Sequence, residues 1–131
     1  MKYLGVDWGL NKIGLALSEG EIAGPFTTLN VKSNSFDKAV AKVVAIAREK
    51  NIDRVVLGKP EGKMGEIVEK VAVNFKQVDL DVTLADETLS TKEAKRVLLQ
   101  LGMKRKSRRE DNAMSAAIIL QRYLEQLSAR R

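Results

Sequence analysis

The chain opens with two short apolar segments separated by a turn, and this opening limits the folds that are available to it. Residues 3–6 form the first segment, which runs into Asp7-Trp8-Gly9, and residues 12–17 form the second. Two such runs joined by a turn that contains Gly and Asn predict a β-hairpin. A plain doubly wound fold begins with a strand, a glycine-rich turn and a helix, so the hairpin argues against that fold.

Beyond the hairpin, the spacing of apolar residues alternates between strand and helix periods. Gly24-Pro25 predicts a turn, and residues 26–31 predict a third strand. The later segments predict, in chain order, a helix at 36–47, a strand at 54–58, a helix at 67–75, a strand at 80–87, a helix at 94–101 and a helix at 111–127. We therefore predict an α/β fold: a mixed five-stranded sheet, an antiparallel meander followed by parallel strands, with helices on both faces.

Length and composition predict one domain that spans residues 1–131. A chain of this size with 44% hydrophobic residues has enough apolar side chains for a core. The N-terminus lacks the pattern of a signal peptide, and no apolar run is long enough to cross a bilayer. Cysteine is absent, which excludes disulfides. We therefore expect a cytoplasmic protein that does not enter membranes.

The absence of histidine and cysteine also narrows the available chemistry. It excludes zinc sites built on imidazole or thiolate, cysteine nucleophiles and Ser-His triads. What remains is carboxylates, lysine, arginine, hydroxyl groups, or a metal held by oxygen ligands, which suit Mg²⁺ and Mn²⁺. The formal net charge of +6 favours a polyanionic partner, with nucleic acid ahead of an anionic membrane.

Three acidic residues are placed where they could act together. Asp7 and Glu87 each end a predicted strand, and Asp111 begins the last predicted helix. Taken singly, each has an ordinary structural role as a turn residue, a solvated strand end or a helix N-cap. Strand ends of one sheet can converge, however, and a third acid would complete an oxygen cluster for two divalent ions that clamp a phosphodiester.

Four segments of the chain, in this order, resemble the YqgF family, which is also called RuvX. They are Tyr3–Gly9 with Lys12–Ala16 and Ser18, Val55–Pro60, Asp86–Thr91 with Glu93-Ala94, and Ile119–Leu124. Together they extend over nearly the whole chain. The resemblance implies a ribonuclease H-like fold and a metal-dependent nuclease that acts on structured nucleic acid, with maturation of the 5′ end of pre-16S rRNA in ribosome biogenesis as the family role.

The resemblance also implies which residues hold the metal. Asp7 and Glu87 fall on ligand positions, with Mg²⁺ or Mn²⁺ as the cofactor. Counting back from Ile119, the third position of the family falls on Asn112, one residue after Asp111. We favour Asp111 as the third ligand and keep Asn112 as the alternative. Thr88 stands where the family usually has Arg, and the loop after Pro60 lacks the usual Ser or Thr.

Basic residues near these acids predict contacts with a nucleic-acid backbone. They are Lys12, Lys104, Arg105, Lys106, Arg108 and Arg109. For the segment from Lys104 to Arg109 the ordinary alternative is a solvated loop. Trp8, the one tryptophan, is interpreted as a buried aromatic that supports the hairpin rather than as a base-stacking platform.

Other functions are compatible with the same residues. A Holliday-junction resolvase would use the same acids on branched DNA, and it would need two active sites in a dimer. A nucleic-acid-binding domain without catalysis would follow if Asn112 has replaced an essential acid. A sugar-kinase-like ATPase shares the Asp-x-Gly strand but needs two lobes. RNA is the favoured partner, and we expect a monomer or a weak homodimer.

Overall fold

The computed structural model describes residues 1–86 and 112–130. The strands are β1 (Tyr3–Trp8), β2 (Lys12–Ser18), β3 (Gly24–Asn30), β4 (Arg54–Lys59) and β5 (Val82–Asp86). The helices are α1 (Phe36–Glu49), α2 (Lys63–Gln77) and α3 (Asn112–Ala129). The predicted order of elements is confirmed for these residues. The helix predicted at 94–101 lies outside them.

The five strands form one mixed sheet in the order β3-β2-β1-β4-β5. Strands β1, β2 and β3 pair antiparallel, as the meander predicted, and β4 pairs parallel with both β1 and β5. Because β1, β4 and β5 run in the same direction, their carboxyl ends meet at one edge of the sheet. We call this edge the carboxyl edge.

The turn predicted at Gly24-Pro25 is wrong, because both residues lie in β3. Pro25 pairs with Ala16, and the register shifts between Leu15 and Ala16 as in a β-bulge. Among the described strands β3 lies at one end of the sheet. A proline is tolerated there because an edge strand can leave one backbone position without a donor.

Helices cover both faces of the sheet, as predicted. On one face, α1 and α2 pack on alternate residues of β1 that include Leu4, Val6 and Trp8. On the other face, α3 packs on Tyr3, Ala16 and Val56. This alternation follows from the two-residue repeat of a strand, and it places Asp7 on the α3 face.

Trp8 belongs to the core beneath α1 and α2. Its side chain is 7% exposed, and its ring centroid lies 6.2 Å from that of Phe36 and 6.3 Å from that of Phe75. The interpretation of Trp8 as a supporting aromatic is therefore confirmed.

Helix α3 approaches the sheet closely because the residues at the contact are small. A Cβ atom placed on Gly5 would lie 2.8 Å from Cβ of Leu120 and 2.9 Å from the carbonyl oxygen of Ala116. Real side chains essentially never approach this closely, so glycine is required under the middle of the helix. A second glycine, Gly14, has the same function under the start of α3.

The carboxamide of Gln121 joins α3 to the loop between β2 and β3. Its Oε1 accepts a hydrogen bond from the N–H of Ala23 (2.8 Å), and its Nε2 donates to the carbonyl of Glu21 (3.1 Å). Gln121 is 4% exposed, so water cannot easily replace these bonds.

We expect Gln121→Leu to lower the free energy of unfolding by about 2 kcal/mol, because it leaves a buried N–H without its acceptor. Urea denaturation measures the change. Gln126→Leu is the matched control, since Gln126 is exposed on the same helix and its replacement should change stability by less than about 0.5 kcal/mol. Equal losses in the two variants would contradict this role of Gln121.

Candidate functional site

The candidate site lies at the carboxyl edge. Asp7 is the penultimate residue of β1, Lys59 ends β4 and Asp86 ends β5. Lys59 and Asp86 are paired in the register of β4 and β5. Asp7 is half-buried and lies on the α3 face, whereas Asp86 is exposed. The fold thus brings the ends of three separate chain segments together at one edge of the sheet, as expected for strands that end in the same direction.

Asp7 lies in a row of residues that crosses the sheet on the α3 face. Asp7 pairs with Gly14 of β2, and Gly14 pairs with Thr28 of β3. On the β4 side of β1, Val6 pairs with Leu57, so the next residue of each strand places Gly58 beside Asp7. Gly58 in turn pairs with Ala85 of β5. With strands about 4.8 Å apart, Ala85 is about 10 Å from Asp7 across the sheet. The positions on both sides of the Asp7 carboxylate therefore have no side chain.

On the β2 side, the start of α3 occupies the space that Gly14 leaves open. A Cβ atom on Gly14 would overlap the carbonyl oxygen of Asn112 and lie 2.8 Å from the backbone nitrogen of Ala113. Because Gly14 is directly opposite Asp7, at a Cα distance of about 5 Å, the backbone of Asn112 lies near Asp7. The fold thus brings together two of the predicted site residues, Asp7 and Asn112, from positions more than a hundred residues apart.

The hydroxyl group of Thr28 contacts the same helix start. Its Oγ1 accepts a hydrogen bond from the backbone N–H of Ala113 at 3.1 Å. Thr28 could not be identified from the sequence, because nothing within its own segment indicates a partner that lies 85 positions away. Gly14 offered an indirect signal, since a glycine inside a strand often marks the close approach of another backbone.

On the β4 and β5 side, an open groove of about 590 Å³ runs between these strands and α2. Its lining residues are Lys59, Pro60, Glu61, Gly62, Gly65, Glu66, Glu69, Leu84, Ala85 and Asp86. Lys59 Nζ is 2.5 Å from Glu69 Oε1, so the charges of this exposed pair largely offset each other. The groove therefore lies at the carboxyl edge on the α2 side of the sheet, and Asp7 is not among its lining residues.

The groove depends on a sharp entry into α2. Gly62, the N-cap of α2, has a φ of 79°, a backbone conformation that residues with a Cβ atom rarely adopt. A Cβ atom on Gly65 would overlap the carbonyl oxygen of Pro60. These two glycines keep the first turn of α2 close to the loop that follows β4.

Lys12 is the one predicted backbone-contacting residue that falls within the described part of the chain. It is exposed and begins β2, so it lies at the carboxyl edge on the same face as Gly14. The other predicted site residues lie outside the described residues. They are Glu87, Asp111, Lys104, Arg105, Lys106, Arg108 and Arg109. Within residues 1–86 and 112–130, no three acidic side chains gather as a metal-binding group.

None of the helices in residues 1–86 and 112–130 has the length and apolar character needed to cross a membrane.

Solved structures similar to this chain share its fold. The RuvC protein of Thermus thermophilus, solved in complex with a Holliday junction substrate, has a TM-score of 0.68 at 18% identity, with 98% of this chain and 96% of that chain covered. The fowlpox virus resolvase, solved with Holliday junction DNA, has a TM-score of 0.64 at 17% identity, with 97% and 99% covered. The predicted ribonuclease H-like fold is confirmed by this similarity.

Sequence comparison identifies relatives along almost the full length. One from Dictyoglomus turgidum is 36% identical over 98% of this chain and 96% of its own length, and one from Endomicrobium trichonymphae is 35% identical over 95% of each. Both carry the provisional name pre-16S rRNA nuclease. The family RuvX, described as Holliday junction resolvase, matches residues 1–126. The chain therefore belongs to the RuvX family.

Proposed function

We propose that this protein is a metal-dependent nuclease whose active site is the carboxyl edge around Asp7. The observation that carries the proposal is the position of Asp7, which lies between two glycines at the common end of three parallel strands, beside the start of α3. A carboxylate at the end of a strand, with a second chain segment beside it, is suited to binding a cation that also contacts a phosphate.

The donor atoms fit Mg²⁺ or Mn²⁺. Asp7 supplies carboxylate oxygens, and Asn112 can supply an amide oxygen, while the chain contains no histidine or cysteine that would favour a softer metal. Glu87, which follows β5 in the sequence, and Asp111, which precedes α3, are proposed as the remaining ligands, with Asn112 as the alternative to Asp111. When bound, such ions activate water and stabilise the leaving oxygen in phosphodiester hydrolysis.

The protein's own residues would then hold the metal and align the substrate. Asp7 and Glu87 would bind the cation from two strand ends, and α3 would bring the third ligand from above Gly14. Lys12, at the same edge, would contact the nucleic-acid backbone together with Lys104, Arg105, Lys106, Arg108 and Arg109. We propose that residues 1–131 act as one domain in the cytoplasm, as a monomer or weak homodimer.

For the substrate we propose structured RNA, and in particular the 5′ end of pre-16S rRNA, because the relatives at 35% and 36% identity carry that name. The second candidate is a branched DNA substrate. It is favoured by the similarity in fold to RuvC in complex with a Holliday junction and by the description of the family.

Cleavage assays with matched substrates test the proposal. A 5′-labelled pre-16S rRNA fragment and a four-way DNA junction are each incubated with Mg²⁺, with Mn²⁺ and with EDTA. We expect metal-dependent cleavage of the RNA at a discrete position. Cleavage of the junction alone would support the resolvase, and binding without cleavage of either substrate would overturn the enzyme proposal in favour of a binding domain.

The contribution of Lys12 can be measured through the salt dependence of binding. We expect Lys12→Ala to reduce the slope of log Kd against log[KCl] by about 0.7 to 0.9, because one fewer phosphate is neutralised. Fluorescence anisotropy measures Kd, and EDTA in the buffer prevents cleavage during the measurement. Lys76→Ala is the control, because Lys76 is exposed near the C-terminal end of α2, away from the carboxyl edge. An unchanged slope for Lys12→Ala would exclude a phosphate contact.

A further inference from the structure

The hydrogen bond between Thr28 and Ala113 connects β3 to the start of α3, beside the candidate site. Thr28 is on β3, two strands away from Asp7 in the row that crosses the sheet, and Gly14 lies between them. Its Oγ1 accepts from the N–H of Ala113, the second residue of α3, at 3.1 Å. The bond therefore fixes the first turn of α3 above Gly14, beside Asp7.

The first turn of a helix contains N–H groups that have no partner within the helix. In most helices a side chain just before the helix accepts one of these hydrogen bonds, which fixes the helix relative to its own chain. In α3 the N–H of Ala113, in the first turn, donates to a hydroxyl group on a separate strand. The start of α3 is thus fixed relative to the sheet that carries Asp7.

Packing alone would leave this position less well defined. The contact between Gly14 and Asn112 limits how closely α3 can approach the sheet. A hydrogen bond is directional, however, and it weakens steeply when the donor moves out of line. The hydroxyl of Thr28 thus restrains sliding and rotation of the helix start, which steric contact with a glycine restrains poorly.

We propose that Thr28 is a positioning residue for the metal site: its hydroxyl holds the start of α3 at the separation from Asp7 that a shared divalent cation requires. This inference rests on the proposed function, since it assumes that the start of α3 supplies a ligand. Thr28 itself does not contact the metal or the substrate in this proposal. It acts through the backbone of residues 112 and 113.

Thr28→Val tests the proposal, because valine has nearly the same shape and a high preference for strands but cannot accept a hydrogen bond. We expect its affinity for Mn²⁺ alone to fall by about 10- to 100-fold, the loss seen when outer partners of metal ligands are removed. Thr28→Ser, which keeps the hydroxyl, should restore most of the affinity. Thr27→Val is the matched control, because Thr27 is the preceding residue on the opposite face of β3.

Two measurements that do not depend on cleavage report the outcome. Mn²⁺ affinity is read from the metal-dependent rise in melting temperature, and hydrogen exchange of the Ala113 amide reports the bond itself. Faster exchange in Thr28→Val together with weaker Mn²⁺ binding supports the proposal. Faster exchange with unchanged Mn²⁺ binding would show that the bond only caps the helix, and this would overturn the proposal.

The same experiment separates failure of this inference from failure of the proposed function. If the wild-type protein binds Mn²⁺ and cleaves no nucleic acid, the nuclease proposal fails, while the comparison of Thr28→Val with Thr28→Ser still decides the role of Thr28. If the wild-type protein cleaves RNA and Thr28→Val binds Mn²⁺ and cleaves equally well, the positioning role is overturned and the nuclease proposal stands. A wild-type protein that binds no Mn²⁺ would overturn both.

Discussion

Asp7→Asn is expected to abolish metal-dependent cleavage of the precursor RNA while leaving RNA binding intact. Asparagine keeps the shape of the side chain but removes the charge that binds a divalent cation. Removal of an outer partner of a metal ligand already costs about 10- to 100-fold in activity, so the loss of a direct ligand should exceed about 100-fold. Single-turnover cleavage measures the rate, and fluorescence anisotropy measures RNA binding.

Asp37→Asn is the matched control for this experiment. It makes the same change of charge at an exposed acidic residue in the first turn of α1. Cleavage by this variant should remain within about twofold of wild type, since a surface substitution away from the site has little effect. If Asp7→Asn cleaves RNA as fast as Asp37→Asn does, the active site is not at the carboxyl edge. If Asp7→Asn no longer binds RNA, its loss of cleavage does not reflect the metal.

Gly14→Ala is expected to lower the free energy of unfolding more than the same substitution at Gly5 or Gly24, two other strand glycines. Its Cβ would overlap the backbone of Asn112, which cannot rotate away as a side chain can. The helix would have to move off the sheet. Overpacking typically costs about 1 to 3 kcal/mol, and we expect a loss at the upper end of that range because the backbone itself has to move. Urea denaturation measures the loss, and melting temperature with added Mn²⁺ reports whether displacement of the helix changes Mn²⁺ binding.

Gly24→Ala is the control, because Gly24 is also in a strand but an added Cβ atom would meet nothing within 4 Å. That substitution should be neutral or slightly stabilising, since alanine restricts the unfolded chain more than glycine does. Similar stabilities for the two variants would mean that α3 can retreat from β2 at little cost. The close contact beside Asp7 would then not define the site.

Much of the fold was predictable from the period of apolar residues. The apolar run of residues 3–6 predicted a strand, and the order of elements predicted helices on both faces of the sheet. The structure places Leu4, Val6 and Trp8 on one face and Tyr3 on the other. The hairpin and the later alternation of helices and strands then predict a sheet that contains both antiparallel and parallel strand pairs. The error at Gly24-Pro25 has a local cause, since the same dipeptide suits a turn or an edge strand, and only tertiary pairing decides between them.

The candidate site was predictable in part. A strand-end Asp can be identified from local sequence, and Asp7 lies at the predicted edge. The roles of Gly14 and Thr28 could not be read locally, because each depends on the start of α3, which lies more than 80 residues further along the chain. The positions of Glu87 and Asp111 stay predictions, since both lie outside the described residues.

The late position of α3 in the chain has a consequence during protein synthesis. Residues 3–86 can pair their strands while translation continues, but Asn112 cannot reach Gly14 until the segment that contains it has emerged from the ribosome. In a nascent chain, Asp7 therefore lacks the neighbouring start of α3, which packs on Gly14 in the folded protein. The hydrogen bond between Thr28 and Ala113 and the contact between Gly14 and Asn112 therefore form only after the strands that carry Asp7 have been synthesised.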